Sequence, residues 1–177
     1  LANGLDTIVN CAQILDEEYR DKIVFRLVGD GSEKRALQDM VTARRIGNIK
    51  FEEPVAKLEI PALLSQADAF VVAIKDSPLY KYGISLNKIY DYMVSARPII
   101  IGSNALNNPV EEAGAGIAVP PDNPEKMARA VLKLYEKSSA ERQKMGLDGR
   151  SYVEENHNFA ILAAKLEEAI TDITYPG

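Results

Sequence analysis

Lys88 and Asp91 have the residue types and the spacing that a phosphate- and sugar-binding site would need. They lie three residues apart in a segment with a helical pattern, just after the turn-prone residues 83–87, so they share one face of the helix. The spacing alone favours a surface ion pair between them. In the alternative interpretation, Lys88 contacts phosphate oxygens and Asp91 accepts hydrogen bonds from sugar hydroxyls, which its charge would strengthen.

A second candidate is the glycine-containing loop Gly29-Asp30-Gly31, which follows an apolar run. Ser32 is predicted to cap the next helix, and the backbone amides at such a helix start can hold a phosphate. The plainer interpretation is a tight turn with a cap. Because residue 34 is lysine, the third glycine of a dinucleotide-binding fingerprint is absent from the sequence.

The remaining reactive residue types indicate no further catalytic centre. His157 is the one histidine and lies among polar residues near a helix end, which indicates a structural or solvated side chain. Cys11 is the one cysteine and is predicted to be a small core residue of the first helix. Single His and Cys residues argue against a metal site built from them and against an internal disulfide. No Gly-x-Ser-x-Gly hydrolase motif is present in the sequence.

Short apolar runs alternate with amphipathic helical patterns along the chain. The predicted strands are residues 23–28, 49–51, 69–74, 98–101 and 117–119. This alternation predicts an α/β fold, a Rossmann-like three-layer domain with a mostly parallel sheet and helices on both faces. Such sheets bind ligands beyond the carboxyl ends of their strands, so the loops after these runs are where a site is expected.

The helical segments differ in how clearly their packing can be predicted. Asn123-Pro124-Glu125 indicates a helix start, because Asn caps, Pro fits the first turn and Glu favours the positive dipole end. Residues 138–158 are polar and helical, with too few apolar residues to define a packing face. The last helix has an apolar stripe formed by Phe159, Leu162, Ala163, Leu166 and Ile170.

The composition is that of an ordinary soluble globular domain. The chain has 177 residues, of which 46% are apolar and 27% charged. Its formal net charge of −5 argues against nucleic acid or an anionic membrane surface as the main partner. No apolar run reaches the length of a membrane span. Residues 3–6 have the character of a helix start, so we expect the native chain to begin earlier.

Five segments, taken in order, resemble the C-terminal domain of retaining glycosyltransferases of the GT-B type. The family is glycosyltransferase family 4, or group 1, which includes sucrose synthase and many bacterial surface-polysaccharide enzymes. The resembling segments are ANGLDTIVNCAQIL (2–15), FRLVGDGSEKRAL (25–37), FEEPVAKLEIPALLSQADAFVV (51–72), NKIYDYMVSARPIIIGS (87–103) and GIAVPPDNPEKMARAV (116–131). The order of the motifs carries the resemblance, which extends over about residues 2–170.

The resemblance implies a nucleotide-sugar site at named positions. Asp91 matches the second acid of the family's acidic pair, which binds the nucleotide ribose. In the family, the backbone amides of one loop hold the diphosphate. The residues that match this loop are Ser85, Leu86 and Asn87, and Lys88 follows them directly.

Further positions complete that implied site. Val55 and Leu58 match the wall against the base, and Gly29 and Gly31 match glycines that line the cleft. The implied residues bind the donor, and no catalytic residue can be assigned.

Several positions depart from the family pattern. The first acid of the pair, which in the family contacts the donor sugar, is replaced by Gly83, and the second is Asp91 rather than Glu. The family's cationic residues for the leaving diphosphate lie in the strand and helix start that open the domain. One of these cationic residues is a lysine, and Asn3 stands at its position in this sequence. We expect the opening strand to lie before the given sequence.

The resemblance implies that residues 1–177 are the C-terminal nucleotide-sugar-binding domain of a glycosyltransferase acting in bacterial capsule, O-antigen or exopolysaccharide synthesis. The donor would be a nucleotide sugar of the UDP-N-acetylhexosamine type. The acceptor, a sugar or lipid-linked sugar, would bind to an N-terminal domain. The protein would be cytoplasmic, and any contact with the inner face of the membrane would be made through that domain. No cofactor, metal or nucleic acid is expected.

Two other functions stay open at this point. One is a nucleotide-sugar 2-epimerase-like domain of the same fold, which would need further acids and a histidine in the cleft. The other is a non-catalytic flavodoxin-like or receiver-type regulatory module, which would need an acidic phosphorylation site at the strand ends.

Overall fold

Helices and strands alternate along the chain in the computed structural model, which describes residues 3–78, 80, 83–84 and 86–174. The strands are β1 (Phe25–Val28), β2 (Ile49–Glu52), β3 (Phe70–Ala73), β4 (Ile99–Gly102) and β5 (Gly116–Val119). The helices are α1 (Leu5–Tyr19), α2 (Lys34–Ala43), α3 (Ile60–Ser65), α4 (Asn87–Val94), α5 (Pro109–Glu112), α6 (Pro124–Glu136), α7 (Ser139–Asn156) and α8 (Phe159–Thr174). A 3₁₀ turn, Lys57–Glu59, precedes α3.

The strands form two parallel sheets rather than one. β1 pairs with β2, and β3, β4 and β5 pair in that order. The expected α/β, Rossmann-like fold with parallel strands is confirmed, and within the described residues these strands are divided between two sheets. The break lies between β1 and β3, whose facing edges line a cleft instead of pairing with each other.

Helices cover both faces of the three-stranded sheet. Ile100 of β4 packs in one apolar cluster with residues of α1 and α6, whereas Ile99 and Ile101 pack in another with Ile89 and Met93 of α4. Because successive strand residues point to opposite faces, these two clusters are the two outer layer interfaces of a three-layer domain. Burial on both faces agrees with the unbroken apolar sequence of β4.

Glycines, rather than an apolar stripe, allow the polar helix α7 to pack. A Cβ atom at Gly146 would lie 2.1 Å from the carbonyl oxygen of Ala96, and one at Gly149 would lie 2.8 Å from the Cβ atom of Ala115. The helix therefore approaches the turn after α4 more closely than any side chain would permit. This contact explains why residues 138–158 show no clear apolar face in the sequence.

The apolar stripe of α8 is exposed in this structure. Phe159 is 93% and Leu166 63% accessible, so the amphipathic pattern of the last helix does not correspond to a buried face here. The start of α6 is as predicted, because the Asn123 side chain accepts a hydrogen bond from the Lys126 amide at 2.9 Å. Within the described part of the chain, no helix combines the length and the apolar character that crossing a membrane requires.

Candidate functional site

A cleft of about 900 Å³ lies between the two sheets. It runs along the facing edges of β1 and β3, from their amino ends towards their carboxyl ends, and reaches α4. Its carboxyl-end part is on the side of the sheets where the loops were expected to bind a ligand. Of the residues singled out in the sequence, Gly29, Val55, Lys88 and Asp91 line this cleft. The structure thus brings together residues that are more than 60 positions apart in the chain.

Helix α4 presents Lys88 and Asp91 to the cleft because its other face is anchored in the core. Ile89 and Met93 are buried, at 1% and 0% accessibility. Leu86 precedes the helix in an extended conformation, and no side-chain hydrogen bond caps the helix start within the described residues. The first turn therefore keeps the partial positive charge of a helix N-terminus.

The ammonium group of Lys88 bonds to a neutral partner. Its Nζ atom donates to the Oδ1 atom of Asn3 at 2.8 Å. Burial lowers the pKa of Lys88, since taking the ammonium group out of water disfavours its charged form. Asp91 is exposed, and no ion pair joins these two described residues. The surface ion pair that the spacing favoured is therefore wrong.

Other cations near the strand ends are neutralised by carboxylates. The Nζ atom of Lys34 lies 2.8 Å from Glu53. Lys75, two residues after β3, lies 2.6 Å from Asp6 and 3.2 Å from Asp122. The bond to Asp6 and then that to Asp122 raise the pKa of Lys75. Lys88 differs from both because its described partner carries no charge.

The Lys75 cluster connects the start of α1 with two loops. Besides its contact with Lys75, Asp122 accepts a hydrogen bond from the amide of Asp76 at 2.8 Å, which is the main reason that its pKa is lowered. Asp6 belongs to the start of α1, Asp76 to the loop after β3 and Asp122 to the loop after β5. The cluster therefore fixes the loops at this edge of the sheet and leaves little free positive charge.

In the glycine loop after β1, the amides of both glycines already donate hydrogen bonds to other groups of the protein. The Gly29 amide donates to Glu52 at 3.2 Å, and the Gly31 amide donates to the side chain of Asp30 at 2.8 Å. The predicted Ser32 cap is wrong: α2 begins at Lys34, Glu33 is its N-cap residue, and no side chain caps it. Gly31 lies outside the lining of the cleft. With these amides occupied, the loop is a poorer anion site than the sequence suggested.

The remaining candidate residues occupy different surroundings. Leu58 is 94% exposed on the 3₁₀ turn and does not line the cleft. Leu86 is the half-buried N-cap residue of α4, and Asn87 is its exposed first residue. Ser85 lies outside the described residues.

Gly83 has a backbone conformation that requires glycine. Its φ angle is +135°, and a Cβ atom there would lie 2.9 Å from the Oδ1 atom of Asn107. Asn107 in turn accepts a hydrogen bond from the Ile84 amide at 2.8 Å. An acidic side chain therefore does not fit at residue 83 in this arrangement, and Asn107 occupies the neighbouring space.

The structure also shows residues that sequence reasoning missed. Tyr92 lines the cleft and stacks on Phe70 with ring centroids 4.1 Å apart. The sequence shows an aromatic residue next to Asp91, but helix periodicity alone did not predict that the Tyr92 ring faces the cleft. Asn3 was noticed as a departure from a family pattern, whereas its bond to Lys88 depends on tertiary contact.

The histidine and the cysteine are structural, as predicted. His157 packs against the rings of Tyr90 and Tyr152, with centroid distances of 4.7 and 5.4 Å. Cys11 is fully buried, and burial raises the pKa of its thiol to about 12. Among the residues that the structure describes, no group of three or more His, Cys, Asp or Glu side chains could hold a metal ion.

A family model described as glycosyl transferases group 1 matches residues 2–137, which is more than half of the chain. The chain belongs to this family. The glycosyltransferase family assignment agrees with the resemblance of the five sequence segments. No curated protein sequence matches this group 1 chain.

Solved structures agree with the GT-B half-domain fold. Sucrose-phosphate synthase (tll1590) from Thermosynechococcus elongatus superposes with a TM-score of 0.79 at 19% identity, covering 99% of this chain and 43% of that one. The C-terminal domain of the group 1 family protein LpcC from Francisella tularensis gives 0.71 at 19% identity, covering 89% and 81%. The pneumococcal O-GlcNAc transferase GtfA, in complex with UDP and GlcNAc, gives 0.72 at 14% identity, covering 98% and 34%.

This group 1 chain thus spans less than half of the length of the sucrose-phosphate synthase. At these identities the structural likeness shows the fold, and the family model shows the membership.

Proposed function

We propose that this chain is the C-terminal, donor-binding domain of a retaining glycosyltransferase that transfers a hexosyl or N-acetylhexosaminyl group from a nucleotide sugar to an acceptor hydroxyl. The observation that carries the proposal is the partly buried Lys88 ammonium, which has no carboxylate partner among the described residues and lies at an uncapped helix start in a large cleft. Such a centre of positive charge is suited to an anionic ligand.

The cleft offers a separate surface to each part of a nucleotide sugar. The diphosphate would lie at Lys88 and the first amides of α4, where positive charge stabilises the negative charge that develops as the diphosphate leaves. The exposed carboxylate of Asp91, three residues further along the same helix, would accept hydrogen bonds from the ribose hydroxyls. Val55, 37% exposed after β2, offers an apolar surface to the base.

The donor that we propose is of the UDP-N-acetylhexosamine type. It is supported by the UDP and GlcNAc bound in the structurally similar GtfA and by residues 83–93, GISLNKIYDYM, whose pattern resembles enzymes that transfer amino sugars in bacterial capsule or O-antigen assembly. That pattern also motivates the proposed role in bacterial capsule, O-antigen or exopolysaccharide synthesis. The proposed reaction uses no cofactor or metal, and it takes place in the cytoplasm.

Among the described residues, the edge of β1 and the first part of the edge of β3 pair with no other strand, which supports a strand that precedes the given sequence. The amides of Phe25 and Gly29 donate to β2 and its flanks, so the alternate residues Arg26 and Val28 direct their backbone groups away from β2, towards the cleft. On the other side, Phe70 and Ile74 donate to β4 and its flanks, which leaves the backbone of Val71 facing the same cleft.

The position of α1 also supports this strand. The Gly4 amide donates to the carbonyl of Ala73 at 3.0 Å, so α1 starts at the carboxyl end of β3 and leads to β1. A right-handed strand–helix–strand unit ending in β1 places its first strand beside β1. We propose that the protein supplies this strand, which would fill the cleft between β1 and β3 and leave the part at their carboxyl ends, beside Lys88 and Asp91, for the ligand. An N-terminal domain that binds the acceptor would precede the strand. The match to an isolated C-terminal domain of LpcC supports this division.

The proposed division predicts that the chain alone transfers no sugar, since in a two-domain enzyme the reacting groups meet across the cleft between the domains. Purified chain incubated with UDP-N-acetylhexosamines and added acceptors should give no glycosylated product by mass spectrometry. Turnover by the chain alone would contradict the division of roles.

Calorimetric titration with UDP tests the proposed site. We expect the wild-type chain to bind UDP and Asp91→Ala to weaken binding roughly tenfold to a hundredfold, since each hydrogen bond to a charged group contributes about 1.5–3 kcal/mol. Asp39→Ala, which removes an exposed carboxylate from α2, is the matched control and should bind as wild type does. The thermal stability of both variants should stay close to that of wild type.

Equal UDP affinity in wild type and Asp91→Ala would remove Asp91 from the site. A wild-type chain that binds no nucleoside diphosphate or nucleotide sugar would contradict the proposed function. Family membership favours a glycosyltransferase over the regulatory module considered from the sequence.

A further inference from the structure

We propose that Asn3 is a positioning residue for the diphosphate: its neutral amide holds the Lys88 ammonium group in the cleft without cancelling its charge. This inference rests on the proposed function, because it assumes that the cleft takes a nucleoside diphosphate. Asn3 lies two residues before α1, and its uncharged amide would act through Lys88 rather than by contacting the phosphate itself.

The backbone next to Asn3 is fixed by β3. The Gly4 amide donates to the carbonyl of Ala73 at 3.0 Å, and Asn3 forms an isolated bridge with Ile74. Ile74 itself is buried, at 2% accessibility. The side chain that receives the Lys88 bond is therefore attached to the core of the three-stranded sheet, 85 positions away from Lys88 in the sequence.

An amide and a carboxylate would have opposite consequences at this position. Lys34 and Lys75 show the carboxylate case, since each bonds to an acid and has its charge balanced within the protein. A lysine ammonium has three N–H donors, and the bond to Asn3 uses one of them. No other described residue bonds to the Lys88 ammonium group, so within the described part of the chain its other two N–H groups and its full positive charge stay available to phosphate oxygens.

The restricted rotamer of Lys88 should also favour binding. A free lysine side chain loses conformational entropy when it is immobilised. Because the hydrogen bond to Asn3 fixes the ammonium group before the ligand arrives, part of that cost does not fall on binding. Removing the amide should therefore weaken diphosphate binding even though the charge of Lys88 is retained.

Two substitutions at residue 3 test the inference, with UDP and uridine as the probes in calorimetric titrations. Asn3→Asp keeps the size of the side chain but pairs Lys88 with a carboxylate, and it should weaken UDP binding by about tenfold or more, equivalent to about 1.4 kcal/mol. Asn3→Ala removes the anchor and should weaken UDP binding by about threefold, a smaller effect because the charge remains. Uridine, which has no phosphate, should bind equally to all three proteins.

The chain offers a matched control outside the cleft. The Oδ1 atom of Asn10 accepts a hydrogen bond from Arg44 at 2.7 Å, so Asn10→Asp also turns an amide–cation contact into an ion pair. It should leave UDP binding unchanged. A titration of the Lys88 side-chain carbon resonances by NMR gives an independent signature, since Asn3→Asp should raise the pKa of Lys88 relative to wild type and Asn3→Ala should not.

Each outcome decides a different point. UDP affinity that is the same in wild type, Asn3→Asp and Asn3→Ala would overturn the inference while leaving the proposed function intact. Equal losses for UDP and uridine would also overturn it, because they would show that Asn3 only supports the fold. A wild-type chain without affinity for UDP would contradict the proposed function, and the assignment of diphosphate to this pair with it.

Discussion

The two sheets of this domain bury their strands to different extents. All four residues of β4 are buried, whereas in β1 and β2 only the first residue of each strand is. β4 has a neighbour on both edges and helices on both faces. β1 has β2 on one edge and the cleft on the other. The difference indicates a rigid framework that carries α4 and a more accessible half on the opposite side of the cleft.

The two regions also differ in how tightly the surrounding atoms pack against their glycines. In the three-stranded half, Gly146 of α7 touches the backbone of Ala96. Near the two-stranded sheet, no atom lies within 4 Å of a Cβ atom built on Gly31. Stability should therefore depend strongly on volume changes in the first region and weakly on them in the second.

The largest effect is expected at the centre of the three-stranded sheet. Ile101→Ala should lower the free energy of unfolding by about 3–5 kcal/mol, because the side chain is fully buried and its surroundings can collapse only partly. Leu27→Ala in β1, which is partly exposed, should cost roughly 1–2 kcal/mol. Urea denaturation of both variants measures the difference. Equal losses would show that the two sheets are equally well packed.

A smaller loss is expected from Gly146→Ala. Alanine is the better helix former by about 1 kcal/mol, but its Cβ atom would overlap a backbone oxygen that cannot move aside alone. We expect a net destabilisation of roughly 2–3 kcal/mol, seen as a lower urea midpoint. A variant as stable as wild type would mean that α7 can shift away from the turn after α4.

The polar attachment of the two-stranded sheet should depend on pH. Asp16 at the end of α1 bonds to Arg20 and accepts a hydrogen bond from the Gly47 amide at 2.9 Å, just before β2. The bond to Arg20 is the main cause that lowers the pKa of Asp16 below its ordinary value of 3.8. Because the folded-state pKa is the lower one, the stabilisation is complete above about pH 5 and is lost as the pH falls through the folded-state pKa.

Asp16→Asn tests this attachment. At neutral pH it should lower the free energy of unfolding by about 1–2 kcal/mol, because the neutral amide can still accept from the Gly47 amide but loses the charge that strengthens the bonds to Gly47 and Arg20. The difference between wild type and variant should shrink as the pH is lowered from about 5 to about 3 in urea titrations. A difference that stays constant over this range would show that the charge of Asp16 does not contribute.

The smallest effect is expected from Gly31→Ala. The position is open, and its φ angle lies outside the left-handed region, so the free energy of unfolding should change by less than about 0.5 kcal/mol. This variant is the counterpart of Gly146→Ala in the accessible half. A loss as large as that of Gly146→Ala would remove the contrast between the two regions.

The fold was largely predictable because its signal is local. The apolar runs 98–101 and 69–74 correspond to β4 and β3 within one or two residues at each end, and the Asn123 cap set the start of α6. Strand periodicity, caps and turns depend on neighbours in sequence, so the order of residue types is enough to predict them. The same holds for the family, which five short motifs in a fixed order indicated.

The arrangement of the site was decided by tertiary structure. Spacing on one helix favoured a Lys88–Asp91 pair, but in the fold Lys88 reaches Asn3, because β3 brings the start of α1 beside the start of α4. A local cap was predicted at Ser32, and the structure begins α2 at Lys34 instead. The order of apolar and polar residues determines which segments form strands and helices. The contacts between charged groups at the strand ends depend on how segments distant in sequence pack together, so only the three-dimensional structure shows them.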